Sequence, residues 1–420
     1  MEHGLSEPTR GSAGGADQGV TSDLGLFDAR RKNNGAQELL RYSLRADDEM
    51  KPFRVLSLDG GGMRGTYTAT YLSCLATDFA KKRGLQGIDV GGGFDLIVGT
   101  STGAIIACSL AAEVPLSRVV DLYRNHGRAI FPHKLPSRFG LALIRDYFQR
   151  PNDLRSGNDA LLKALELALG NITIAQVYER RKIALAITAV DLAHHHAWVF
   201  KTPHNQPKTN HRDDNYRLVD VCLASSAAPI FRSLAAVRSS GAVTSFDVCV
   251  DGGLWANNPV LVGLVEALEM TRDSPGQEIE LFCLGTCPRP AGEIPNAENV
   301  HRGLREWAFG GEVAKLAISA QEFAYDHMAR LISPCLNRKC HVVRFPRQDV
   351  PAPLLQYLDL DETREEALDA LIQQARSDVN MTNSSCNDPN DRDGALVKRL
   401  FMDMPALQMA DGGNDVQLCR

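Results

Sequence analysis

Two short apolar segments in this chain each end in a glycine-rich turn that leads into a predicted helix. The segment FRVLSL at residues 53–58 is followed by DGGGMRG at 59–65, and FDLIV at 94–98 is followed by GTSTG at 99–103. Apolar strands that alternate with helices are typical of a mostly parallel sheet with helices on both faces. In such sheets, reacting groups lie beyond the carboxyl ends of the strands, where both turns fall. We therefore predict a three-layer α/β fold with its site at that edge.

Residues 49–345 continue this alternation and form the predicted body of the protein. Leu72, Leu75, Ala76 and Phe79 recur at the spacing of one helix face. Helices are predicted over residues 66–83, 104–112, 260–271, 313–332 and 362–375. Further strands are predicted over residues 183–190, 247–250 and 280–284.

Polar segments flank this body on both sides. Residues 1–48 are predicted to be a flexible tail, because they are rich in Gly, Ser, Asp and Asn and cannot bury enough apolar area to offset ordering. Residues 346–420 are predicted to be a helical C-terminal extension, and the segment NMTNSSCNDPNDRDG at 380–394 is predicted to be a polar linker within it.

Composition excludes several classes of protein. The chain has 46 basic against 51 acidic residues, so a nucleic-acid polymer is not an expected partner. Ten cysteines in 420 residues are too sparse for a disulfide scaffold. The start of the chain lacks a basic-then-apolar leader, and no apolar run approaches the roughly 18 residues of a membrane span. We expect a cytoplasmic protein with reduced thiols.

The first turn presents backbone amides without side chains beside a helix N-terminus. Gly60, Gly62 and Gly65 fit the pattern G-x-G-x-x-G that binds dinucleotides after a strand. The same amides can instead stabilise the oxyanion of an acyl-transfer intermediate. This turn alone is compatible with a nucleotide-binding module, an oxyanion site or a merely tight connection.

The second turn, Gly99-Thr100-Ser101-Thr102-Gly103, has the G-x-S-x-G pattern of a nucleophile elbow between a strand and a helix. Small flanking residues allow the sharp turn that exposes the Ser101 hydroxyl at the start of the helix. A plain helix cap at Ser101 is the structural alternative. An acyl hydrolase needs both a nucleophile and an oxyanion site, so the two turns together favour that chemistry.

A base must activate Ser101, and the sequence offers two kinds. Asp251 directly follows a predicted strand, but a carboxylate needs partial desolvation to raise its pKa enough for this task. The later histidines His301, His327 and His341 would instead make a Ser-His-Asp α/β-hydrolase acting on soluble esters, although none lies in an evident loop after a strand.

With these motifs in view, the chain resembles the patatin-like phospholipases over residues 50–345. The matching motifs are Gly60 to Gly65, Gly99 to Gly103 and Asp251-Gly252-Gly253, supported by ASSAAP at 224–229 and NNP at 257–259. Ala104 departs from the family, in which many members carry a second glycine after the elbow.

The resemblance implies a Ser-Asp dyad in a patatin-like, three-layer fold, with Ser101 as nucleophile, Asp251 as proton acceptor and an acyl-enzyme formed on Ser101. It implies no metal and no cofactor. The expected oxyanion hole consists of Gly60, Gly61, Gly62 and the nearby Arg64. The remaining motif positions are Gly65, Gly99, Gly103, Gly252 and Gly253.

The overall layout is similar to that of bacterial family members that act as anti-phage effectors. The implied partners are a membrane phospholipid as substrate and a cyclic nucleotide as activator, with the enzyme acting peripherally at the inner face of the cell membrane. A homo-oligomer is left open. Residues 126–150 interleave basic and aromatic side chains, which predicts either a contact with an anionic bilayer or a solvated helix face with core aromatics.

Overall fold

The fold is described from a computed structural model, which covers residues 50–134, 141–205, 211–238, 246–287, 300–303, 307, 311–347 and 350–408. The predicted tail at residues 1–48 lies outside the described residues, so its flexibility stays a prediction.

Strands and helices alternate through most of the described chain. The strands are β1 Phe53–Leu58, β2 Leu96–Gly99, β3 Ala184–Asp191, β4 His196–Lys201, β5 Ala235–Val237, β6 Asp247–Asp251, β7 Ile279–Leu284 and β8 Cys340–Arg344. The helices are α1 Gly65–Lys82, α2 Thr102–Ala111, α3 Leu116–Ile130, α4 Leu141–Leu169, α5 Ile174–Arg181, α6 Leu218–Ser225, α7 Gly253–Ala256, α8 Val260–Met270, α9 Gly311–Ile332, α10 Glu365–Asn387 and α11 Arg392–Asp403.

One sheet contains all eight strands in the order β5-β6-β3-β2-β1-β7-β8, with β4 also paired to β3. The five strands from β3 to β8 in this order are parallel, whereas β4, β5 and β6 pair in antiparallel fashion. The predicted mostly parallel sheet is confirmed. The antiparallel direction of β6 is a feature that its apolar sequence did not indicate.

Strand β3 brings β2 and β6 into line with each other. Its first half, Ala184–Ile187, pairs with β2, and its last residues, Ala189–Asp191, pair with β6. Strand β4 pairs along Ala186–Asp191, so it occupies the opposite edge of β3. Since a strand has two edges, β6 must share the edge used by β2 and continue beyond its carboxyl end. The end of β6 therefore lies beside the turn that follows β2.

Helices cover both faces of the sheet, as predicted. Side chains alternate in direction along a strand, so Leu56 and Ile97 pack into the core formed with α1, α2 and α3. Val55 and Val98 point to the other face, into the core formed with α8. This division explains why the central strands are apolar at every position rather than at every second one.

The predicted polar linker at residues 380–394 is wrong in its secondary structure. Helix α10 continues to Asn387, and α11 begins at Arg392. The polar residues are accommodated because one face of α10 packs on α1, where the hydroxyls of Thr382 and Tyr71 lie 2.6 Å apart. The extension is helical but packs directly against the body.

Among the described residues, no helix combines the length and the apolar character needed to cross a bilayer.

Candidate active site

The turn between β2 and α2 holds Ser101 in an unusual backbone conformation. Ser101 has φ 55° and ψ −118°, a backbone region that residues other than glycine rarely adopt. The chain can turn this sharply because Gly99 and Gly103, two positions to either side of Ser101, carry no side chain. A Cβ on Gly103 would overlap the carbonyl of Leu58 at the end of β1. The predicted elbow is therefore present, with Ser101 at its apex.

The structure places the Ser101 hydroxyl in direct contact with Asp251. Ser101 Oγ donates to Asp251 Oδ2 at 2.8 Å, and both residues are buried. The second carboxylate oxygen accepts from the amide of Gly253 at 2.7 Å, which fixes the orientation of the side chain. The amide of Ser101 donates to Ser225 Oγ at 2.8 Å. A serine and a carboxylate separated by 150 positions thus meet at the carboxyl edge of the sheet.

Burial changes the proton affinity of Asp251. Desolvation raises the pKa of its carboxyl from 3.8 to about 6, even though hydrogen bonds from Gly253 and Ser101 and the positive charge of Arg232 all favour the ionised form. Arg232 is itself 6% exposed, and burial lowers the pKa of its guanidinium to about 10. At neutral pH, Asp251 is ionised and has a pKa close enough to the ambient pH to accept a proton.

The structure places the three candidate histidines without a hydrogen bond to Ser101. His341 is on β8, where its ring binds Glu278 and Arg392. It pairs with the first half of β7, so it lies toward the amino ends of the parallel strands. His327 stacks on Phe323 along α9, and His301 is exposed. Within the described ranges, no imidazole bonds to the Ser101 hydroxyl, which disfavours the Ser-His-Asp alternative.

Several amides of the glycine-rich turn are engaged by the protein. Gly60 N donates to Asn257 O at 2.9 Å, and Met63 N donates to Leu360 O at 3.0 Å. Gly62 has φ 57°, and a Cβ there would meet the same Leu360 carbonyl, so this position requires glycine. The amide of Gly60 is thus unavailable to an oxyanion, which corrects its expected place in the oxyanion hole.

Two peptide groups of this turn remain as donors. Gly60 O accepts from Thr286 Oγ1 at 3.0 Å, and Gly61 O accepts from the amide and the Nε of Arg64 at 3.2 and 3.3 Å. In a trans peptide the N–H points opposite to the C=O, so the amides of Gly61 and Gly62 point away from these partners. Among the described residues, neither amide has a hydrogen-bond partner. Two donors are too few for a pyrophosphate cradle, which disfavours the nucleotide-binding alternative.

The side chain of Arg64 donates to Gly61 O and so helps to orient this peptide group. Sequence reasoning missed three other residues of the site: Ser225, Arg232 and Thr286. Ser225 lies within the ASSAAP stretch that carried the resemblance, so a signal for it existed. Arg232 and Thr286 carried none, because their roles depend on contacts between distant segments.

The basic and aromatic segment at residues 126–150 is only partly described, and Arg138 and Phe139 lie outside the described residues. Tyr147 and Phe148 are 77% and 74% exposed, with ring centroids 5.3 Å apart. The alternative of core aromatics is wrong for this pair. In the described part of the chain, no group of three His, Cys, Asp or Glu residues is arranged to hold a metal ion.

Comparisons with known proteins place the chain in a family. A family profile described as "Patatin-like phospholipase" matches residues 56–264. A protein of Vibrio cholerae named "cGAMP-activated phospholipase" is 30% identical over 330 residues, which are 77% of this chain and 89% of that protein. A protein of Pseudomonas aeruginosa with the same name is 32% identical over 66% of this chain and 74% of its own length.

A plant relative is more distant. "Patatin-like protein 1" of Oryza sativa is 30% identical over 50% of this chain and 50% of its own length. The family match lies across β1, the elbow and β6, which are the elements that assemble the Ser101 and Asp251 pair. The expected enzyme class, a phospholipase among the carboxylic ester hydrolases, is confirmed: this chain belongs to the patatin-like phospholipase family.

Proposed function

We propose that this chain cleaves acyl esters of glycerophospholipids, with Ser101 as nucleophile and Asp251 as the only general base. The observation that carries the proposal is the 2.8 Å hydrogen bond from Ser101 Oγ to a buried carboxylate whose pKa is raised to about 6. Family membership supports the lipid substrate, and the proximity of the two groups supports their roles.

In the first half-reaction, Ser101 Oγ attacks the ester carbonyl carbon while its proton passes to Asp251 Oδ2. The tetrahedral intermediate collapses with cleavage of the bond to the leaving alcohol, which takes the proton from Asp251 and departs as a lysophospholipid. In the second, Asp251 removes a proton from water, and the resulting hydroxide equivalent attacks the acyl-enzyme. The second tetrahedral intermediate collapses with cleavage of the bond to Ser101 Oγ, which takes the proton back from Asp251, and a fatty acid is released.

The oxyanion that forms in both steps is stabilised by the amides of Gly61 and Gly62. Each is fixed by hydrogen bonds to the carbonyl on the opposite side of its peptide group. Preorganised donors of this kind stabilise developing charge without reorganising during the reaction. Gly60 contributes through its carbonyl and its bonded amide, which anchor the turn.

We further propose that a cyclic nucleotide activates the enzyme and that it serves as an anti-phage effector. Two relatives that cover most of this chain are named for activation by cGAMP, which supports the first part. The effector role follows from the resemblance alone. It predicts that phage plating is reduced on cells carrying the wild-type gene and restored by S101A.

The enzyme must reach a bilayer, and we propose that Tyr147 and Phe148 make that contact. Their rings are exposed on α4, and the neighbouring Arg145 is exposed as well. Aromatic side chains with adjacent cations suit an anionic lipid surface. Replacing both aromatics by Ser is expected to weaken binding to anionic vesicles. Unchanged vesicle binding would refute this contact.

The central experiment is mass spectrometry of a phospholipid mixture incubated with the protein, with and without cGAMP. Wild type is expected to release fatty acid and lysophospholipid, with a higher rate when cGAMP is present. S101A and D251N serve as matched variants and are expected to release neither. Release by S101A would contradict the nucleophile, and equal rates with and without cGAMP would contradict activation by this nucleotide.

A further inference from the structure

Helix α9 holds the turn that follows the candidate base. Its Gln321 Nε2 donates to Leu254 O at 3.1 Å, and its Tyr325 hydroxyl donates to Trp255 O at 2.7 Å. These contacts fix the main chain of α7 directly after Asp251. One face of α9 is therefore polar and directed at the active-site segment rather than at solvent.

Glu322, between those two residues on α9, binds the next part of the same turn. Asn257 Nδ2 donates to Glu322 Oε1, and Asn258 Nδ2 donates to the main-chain carbonyl of Glu322 at 3.1 Å. Both asparagines are buried, at 5% and 0% exposure. A buried amide needs its donors satisfied, so Glu322 determines the orientation of the Asn257 side chain.

Asn257 in turn holds the glycine-rich turn. Its carbonyl accepts from Gly60 N at 2.9 Å, and its Nδ2 contacts Gly60 O at 3.4 Å, beside the Thr286 hydroxyl. The orientation of this peptide group sets the direction of the Gly61 amide. A rotation of the Asn257 side chain would thus change the orientation of the peptide group between Gly60 and Gly61, and with it the direction of the Gly61 amide.

A second set of contacts fixes the position of helix α9. One turn beyond Glu322, Asp326 Oδ1 accepts from Arg344 Nε at 2.8 Å, and Arg344 Nη1 donates to Asp59 Oδ2 at 2.8 Å. Asp59 directly precedes Gly60, and its side chain is 5% exposed. The helix is therefore tied to the base of the glycine-rich turn by a second, independent chain of contacts.

We propose that Glu322 is a positioning residue of the oxyanion site, which acts through Asn257 to set the direction of the Gly61 amide. The proposal rests on the proposed function, because it concerns a donor to the oxyanion of that reaction. Glu322 does not touch substrate. Its contribution is expected in the transition state, where the amide bears on developing charge, and not in substrate binding.

The test compares E322A with E322Q. Alanine removes the acceptor for Asn257, whereas glutamine retains an acceptor oxygen and removes only the charge. D369A is the matched control, since Asp369 makes an ion pair with Arg124 on the surface of a different helix. For each variant, kcat, KM and the affinity for a trifluoromethyl ketone are measured. This ketone adds to the serine and forms an oxyanion that mimics the intermediate.

E322A is expected to lower kcat about tenfold, which is less than the ~10²–10³ loss of an oxyanion donor removed outright. KM is expected to stay unchanged, and affinity for the ketone to fall by the same factor as kcat/KM. E322Q is expected to keep most of the wild-type rate. If E322A does not fold, E322D takes its place, because its acceptor is one methylene too short.

Wild-type kcat and ketone affinity in E322A would overturn the proposal, as would equal losses in E322A and E322Q or a rise in KM alone. Amide hydrogen exchange of residues 59–65 gives a readout that does not depend on lipid hydrolysis. It is expected to accelerate in E322A and not in E322Q. If wild type shows no hydrolysis that S101A abolishes, the proposed function fails, and the exchange measurement still decides whether Glu322 orders the turn.

Discussion

Replacing Asp251 by Asn is expected to abolish hydrolysis and to make the protein more stable. The buried carboxylate of Asp251 is costly to ionise, because its pKa is raised by desolvation from 3.8 to about 6. A neutral amide avoids that cost. It also keeps both local hydrogen bonds, because its oxygen accepts from Gly253 N and its NH₂ donates to Ser101 Oγ.

The magnitude follows from the pKa difference. A rise from 3.8 to about 6 corresponds to about 3 kcal/mol of free energy of unfolding at neutral pH. The sign is fixed by linkage: between these pH values the folded state binds a proton that the unfolded state has lost. Wild-type stability is therefore highest below the unfolded pKa and falls as the pH rises to the folded one. D251N lacks this loss.

The assay is urea unfolding of wild type, D251N and S101A at a series of pH values, with stability differences taken at constant m value. The difference between D251N and wild type is expected to be near zero below pH about 4 and to grow to about 3 kcal/mol above pH about 6. S101A lacks the nucleophile and is expected to lose activity. It retains the carboxylate of Asp251, so its free energy of unfolding is expected to fall with rising pH as in wild type.

A D251N protein that is no more stable than wild type at pH 8 would refute the reasoning about burial. Residual hydrolysis by D251N would instead refute the assignment of Asp251 as base. The two outcomes are separate, since one concerns the free energy of unfolding and the other the rate.

Three further changes have expected outcomes. Arg232→Met removes a cation that favours the ionised form of Asp251, so the pKa of that carboxyl is expected to rise. The acid limb of the pH profile of kcat/KM then moves to higher pH, and an unmoved limb would contradict the role of Arg232. Thr286→Val removes the hydroxyl that donates to Gly60 O, so kcat is expected to fall about tenfold, whereas Thr286→Ser is expected to retain activity. Equal kcat values for the two variants in steady-state assays would exclude this role of Thr286. Tyr67→Phe removes the 2.6 Å hydrogen bond to the carboxylate of Asp378 and is expected to destabilise the protein by about 1–3 kcal/mol, as measured by the urea midpoint; no loss would show that water replaces the hydroxyl.

The parts of the site that sequence predicted are those set by local geometry. Ser101 follows a short apolar strand of the parallel part of the sheet, and the glycine-rich turn follows another, so the pattern alone indicated their common edge. For the base, the residues left Asp251 and the histidines open, and only the family resemblance favoured Asp251. Its place beside Ser101 depends on the antiparallel pairing of β6 with β3, which the sequence did not indicate. What sequence could not settle was which amides stay available, because the bond from Gly60 to Asn257 joins segments almost 200 positions apart.

The errors have the same physical origin. Residues 380–387 are polar in composition, yet they remain helical because Thr382 and Cys386 are buried on one side of α10. The electrostatic interaction of Arg232 with Asp251 and the hydrogen bond from Asn257 to Glu322 arise only after packing. Their sequence neighbourhoods resemble ordinary surface or helix segments, so nothing local marks them.

The pairing of β2 and β6 along strand β3 sets the separation between the Ser101 and Asp251 side chains. Insertions in the long connections before β3 or between β4 and β6 would leave that separation unchanged, because the ladder positions of β2 and β6 on β3 do not depend on loop length. One residue inserted between Ile187 and Ala189 would shift β6 by about 3.3 Å relative to the elbow. Loop length can therefore vary without changing the separation of Ser101 and Asp251, whereas the length of β3, at eight residues the longest strand in the described part of the chain, cannot.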